Sequence, residues 1–127
     1  MKFITPKIHG FLDLLGVAFL LASPSLFGFT GFLAIFTYSL AAVHLALTLL
    51  TSFHVGLVKF IPFPVHGSIE ALVAVALIIL AYTVFNEEVR GKLFYIVFGT
   101  VVLLTWLVTN YNYRDSRSKN QDSRQIY

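Results

Sequence analysis

The sequence predicts an all-α membrane protein, a bundle of four transmembrane helices built from two helical hairpins in parallel internal repeat. Three observations lead there. Of the 127 residues, 57% are hydrophobic and 12% charged, about half the roughly 25% charge of a soluble domain. Mean hydropathy is +0.82, and apolar runs recur near the ~20 residues that cross a ~30 Å hydrocarbon core. Two of these runs open alike, with His9-Gly10-Phe11-Leu12-Asp13 and His66-Gly67-Ser68-Ile69-Glu70. One membrane domain over 1–113, followed by a tail over 114–127, accounts for the length. With no cysteine in the chain, disulfides, thiolate metal sites, iron–sulfur clusters and thiol nucleophiles are all excluded.

The four spans fall at about 8–28, 32–52, 65–85 and 92–111. Lys2 and Lys7 before the first span, and Ala22-Ser23-Pro24-Ser25 within it, give the outline of a secretory signal. Asp13 inside the apolar stretch, and its continuation to Phe29, favour a retained span instead. Gly28-Phe29-Thr30-Gly31 is too short a link for anything but an antiparallel turn into the second span. After that span, residues 54–64 run from His54 to Pro64 with one lysine and two prolines, which suits a segment lying in the membrane interface. Asn86-Glu87-Glu88-Val89-Arg90-Gly91 turns the third span into the fourth. From Arg114 onward apolar residues are few, as expected of a disordered tail.

Basic residues set the orientation. Lys2, Lys7, Lys59, Arg114, Arg117, Lys119 and Arg124 fall on one side, and only Arg90 and Lys92 on the other. The positive-inside rule then places both termini in the cytoplasm, with the chain multi-pass in the inner (plasma) membrane. Trp106 and Tyr111 lie where an aromatic belt is expected. Aligning His9 with His66 also matches Gly10 to Gly67 and Asp13 to Glu70. An even number of spans separates the copies, so their symmetry axis should run along the membrane normal.

Leu21-Ala22-Ser23-Pro24-Ser25-Leu26-Phe27-Gly28-Phe29 resembles the signature of the SPW-repeat family of small bacterial membrane proteins, with Ser25 in place of the family's tryptophan. The resemblance spans about residues 8–53. It implies a two-span repeat and residence in a bacterial membrane, and brings no catalytic residue with it.

Histidine and carboxylate four residues apart share one helix face. Counting ~1.5 Å per residue from the cytoplasmic ends puts Asp13 and Glu70 roughly 7 Å deep and His44 roughly 12 Å deep, with His9 and His66 at the interface. His9, Asp13, His44, His66 and Glu70 therefore form a candidate cytoplasmic-side metal site. Imidazole with carboxylate suits zinc, iron or manganese. Haem between His44 and His9 or His66 is a second use, weakened by their unequal depths, and proton or ion handling is a third. Beside these stands a purely structural reading: interfacial histidines each neutralised by the acid one turn away, in a structural or assembly protein without ligand. No nucleophile motif, phosphate loop or nucleotide fingerprint occurs, which favours a non-enzyme. Expected partners are the lipid bilayer and a homo-oligomer or membrane-protein partner. The short, mixed-sign basic tail argues against nucleic acid. Gly10, Gly16, Gly67 and Gly99 are expected to allow close helix approach, Gly31 and Gly91 to serve turns, and Phe32, Phe36, Phe94 and Phe98 to face lipid or another copy.

Overall fold

A computed structural model of the chain describes residues 2–51, 56–58 and 60–111. Among them are four helices and no strand: α1 (Pro6–Phe27), α2 (Gly31–Leu49), α3 (Phe63–Tyr82) and α4 (Val89–Val108). All four are long and apolar enough to cross a membrane. Each begins one to three residues before its apolar run, and in α1 and α3 a cap or prolines start the first turn outside it. Thr5 caps α1, accepting from the Ile8 amide at 3.4 Å ahead of Pro6, and Pro62 and Pro64 open α3. Proline suits these positions because the first helical amides have no partner to lose. His54, Lys59 and the tail from Arg114 lie outside the described residues.

α1 ends at Gly28, whose φ of 68° is the left-handed conformation that glycine adopts without strain. The Phe29 amide then bonds back to the Pro24 carbonyl at 2.9 Å, and Arg90 donates to the Phe27 carbonyl at 3.1 Å. α1 packs on α2 and α3 on α4. The starts of α1 and α3 meet the ends of α2 and α4. Two isolated bridges tie that end together, Ile4 with Thr109 and Thr51 with Ile61. Phe3 and Ile4 donate to the Val108 carbonyl, and Phe60 and Ile61 to that of Leu50.

The opposite end holds an aromatic core of Phe29, Leu33, Leu77, Ala81, Phe85 and Tyr95. Phe36, Phe94 and Phe98 pack against it. These three are partly buried, so the expectation that they face lipid or another copy fits them less well than Phe32, which is largely exposed. Tyr95, fully buried, shares a 2.6 Å hydrogen bond with Thr37 on α2. Gly91 also departs from expectation. It lies inside α4, buried against Leu33, and its role is close packing. At Gly99 a Cβ would sit 2.9 Å from the Ala74 carbonyl oxygen. Backbone cannot move aside as a side chain can, so Gly99→Val is expected to push α4 off α3 and cost about 1–3 kcal/mol. Thermal unfolding in detergent reads this, and an unchanged midpoint would refute it.

The distribution of burial is inverted relative to a protein in water. His9, His66, Thr37, Thr48, Thr51 and Thr109 are fully buried, while Phe11, Leu15, Ile35, Val43, Leu72 and Val97 are exposed. Polar groups inside and hydrocarbon outside is the arrangement a lipid solvent selects.

Candidate metal centre

The two histidine–acid faces turn toward each other near the N-terminal ends of α1 and α3. His9 Nε2 lies 3.3 Å from Asp13 Oδ1 on its own helix and 2.8 Å from Glu70 Oε2 on α3. His66 Nε2 lies 3.3 Å from Glu70 Oε1 on its own helix and 3.1 Å from Asp13 Oδ2 on α1. Each carboxylate thus spans both imidazoles, one oxygen to each. The shorter contact is always the one between helices. One ligand atom from each of these four residues lies within 4.8 Å of every other. His44 Nε2, from α2, stands 3.8 Å from Asp13 Oδ1 and 3.6 Å from Glu70 Oε1.

All five residues singled out in the sequence come together, His44 included. Two details differ from expectation. His9 and His66 are not interfacial anchors, for both are completely buried. Nor does each acid serve only the histidine one turn away. Helical spacing fixed which groups share a face, but the contacts across the helix pair are tighter.

Thr51 and Thr109 complete the centre, and neither was singled out as a histidine partner. Thr51 Oγ1 donates to the Leu47 carbonyl at 2.5 Å, and Thr109 Oγ1 to that of Thr105 at 2.6 Å. Each hydroxyl has then used its one hydrogen. Thr51 Oγ1 also lies 2.8 Å from His66 Nδ1, and Thr109 Oγ1 2.9 Å from His9 Nδ1. With each hydroxyl hydrogen given to its carbonyl, the imidazole is the donor in those bonds, an arrangement that puts a proton on Nδ1 of both rings. Both Nε2 atoms consequently turn toward the carboxylates. The signal available in the sequence was positional, for each threonine falls at the end of an apolar run, two residues past α2 and one past α4.

Tyr111 and Phe63 cover the centre, with their rings 4.7 Å apart and 5.8 Å and 5.3 Å from that of His9. A Cβ on Gly67 would strike the Tyr111 ring, so this glycine makes room for the cover and not for a helix. Burial, helped by the nearby Glu70 carboxylate, pushes the Tyr111 phenol above its ordinary pKa. It stays a neutral, largely apolar lid. Gly16 has nothing within 4 Å of where its Cβ would stand, and so mediates no close helix contact.

No protein-family model matches the chain, and no curated protein or solved structure matches it. The geometry defines a class all the same: a chain of four membrane-length helices around a buried histidine–carboxylate cluster.

Proposed function

We propose that the chain is a multi-pass protein of the inner (plasma) membrane, termini in the cytoplasm, that binds one transition-metal ion between His9, Asp13, His66 and Glu70. His44 approaches as a fifth donor. The observation that supports this reading most is the pair of threonine-fixed tautomers. Two Nε2 lone pairs and two carboxylates converge in a buried site, and such a set needs a cation. Zinc bound at ~2.0–2.1 Å in a tetrahedron holds its ligands about 3.3 Å apart. The two histidine–acid spacings within helices are both 3.3 Å. Nitrogen and carboxylate donors without sulfur suit zinc, iron(II) or manganese(II). A porphyrin between His44 and either His9 or His66 would need its plane where the Asp13 and Glu70 oxygens stand.

A second reading has its own support. At 2.8 Å, His9 and Glu70 are at the length of a charge-assisted hydrogen bond. Protons on both Nε2 atoms would then supply the positive charge, and the cluster would only join the helices. Elemental analysis of detergent-purified protein separates the two. The metal reading expects close to one ion per chain and a lower unfolding temperature after chelation. Metal-free protein whose unfolding responds neither to chelator nor to added zinc, iron(II) or manganese(II) overturns it and leaves the proton network.

The two hairpins read as parallel copies about an axis along the membrane normal. An offset of 57 residues takes Ile4, His9 and Asp13 to Ile61, His66 and Glu70, and an offset of 58 takes Leu50 and Thr51 to Val108 and Thr109. Both bridges and both imidazole–threonine bonds follow this correspondence. His44 falls opposite Val102, and so is the donor that breaks the equivalence.

A further inference from the structure

Between α1 and α4 runs a groove of about 1150 Å³, slightly above the roughly 300–1,000 Å³ usual for ligand pockets. Leu12, Leu15 and Phe19 form one wall, and Leu93, Val97 and Val101 the other. Asp13, His44 and Glu70 close its inner end, and Gly28 and Arg90 lie at its outer end. From Asp13 to Phe27 the α1 wall is about 21 Å long. The seam between α2 and α3 encloses only about 50 Å³.

Two features suggest a built cavity. Gly16 sits in the middle of the α1 wall, and its missing side chain widens the groove without bringing any helix closer. At the inner end, His44 Nε2 stands 3.6 Å and 3.8 Å from the Glu70 and Asp13 oxygens. These gaps are too long for direct hydrogen bonds, and all three side chains line the groove, so a hydroxyl in it meets them from the groove side. Two carboxylates there repel an anionic head group. Arg90, at the far end, already caps the Phe27 carbonyl.

We propose that this groove admits a single-tailed membrane lipid with an uncharged, hydroxylated ring as its head, the chemical class of the quinols. Its hydroxyl lies against His44 and the Asp13 and Glu70 carboxylates at the end of the groove, and its tail lies along α1 and α4 toward Arg90. The inference rests on the membrane reading and not on metal occupancy.

The test titrates decylubiquinol, and in parallel palmitate, into full-length protein in nanodiscs, with wild type, Gly16→Leu and His44→Ala compared by calorimetry. Gly16→Leu fills the groove away from the polar cluster, and replacing a helical glycine by leucine favours the helix. Circular dichroism and thermal unfolding check that it folds. Saturable quinol binding, weakened at least tenfold by Gly16→Leu and also by His44→Ala, is the expected result. Equal quinol binding by wild type and Gly16→Leu overturns the proposal. So does Gly16-dependent binding of palmitate in place of quinol, which would mean an anionic head at Arg90. A dimer that Gly16→Leu dissociates also overturns it, because a second copy would then fill the groove. Metal is measured on the same samples: Gly16-dependent quinol binding by metal-free wild type would refute the metal reading alone.

Discussion

Glu70→Gln is expected to abolish metal binding and to lower the unfolding free energy by about 3–5 kcal/mol, the usual consequence of removing one partner from a buried ionic set. Glu70 meets His9 at 2.8 Å, His66 at 3.3 Å and His44 at 3.6 Å, so one carboxylate serves all three imidazoles. Glutamine keeps the volume, and any loss is therefore electrostatic and not due to packing. Its neutral amide cannot supply the negative charge that a cation or an imidazolium there requires. Thermal unfolding of both proteins, with and without chelator, measures the loss. A variant as stable as wild type would mean that the acid does not hold the helices together. Should Glu70→Gln fail to accumulate, Asp13→Asn makes the same test, since Asp13 contacts the same three rings.

Thr51→Val and Thr109→Val are expected to lower metal affinity 10–100-fold each, the range for losing a hydrogen bond that orients a ligating histidine. Valine matches threonine in shape but cannot accept from Nδ1–H. The ring then keeps a buried donor without an acceptor, at a cost of about 1–3 kcal/mol, or moves its proton to Nε2, where a metal would bind. Thr51→Ser and Thr109→Ser retain the hydroxyl and should restore most of the affinity. Competition with a chromophoric chelator gives the values. Valine variants that bind as tightly as wild type would show that the tautomer is fixed by something else. The two substitutions act on one connected network, so their effects are not expected to add.

The helices and the composition of the cluster were legible in the sequence because both depend on periodicity along one helix. A histidine and an acid four apart must share a face, and hydrocarbon runs of span length must be helical in lipid. What required the structure was rotation of one helix about its axis relative to the next. Phe36, Phe94 and Phe98 could have faced either way, and each packs partly buried against the core. Tyr95 looked like one more aromatic in an apolar run until Thr37 was placed opposite it. Thr109 lies at a depth comparable to the acids by residue count, but nothing in the sequence pairs it or Thr51 with a histidine. Their meaning emerged only from the pairing of chain ends at the two bridges, a relation between segments far apart in sequence.

That pairing crosses over. The hydroxyl fixing His9 comes from the end of α4, and the one fixing His66 from the end of α2. Neither hairpin alone owns a finished centre: separated, each would keep an imidazole lacking its anchor and an anchor lacking its imidazole. The chain between α2 and α3 then acts chiefly as a tether, raising the effective concentration of one half for the other. Two unlinked halves, given enough of each in the same bilayer, would have every group needed to assemble the whole.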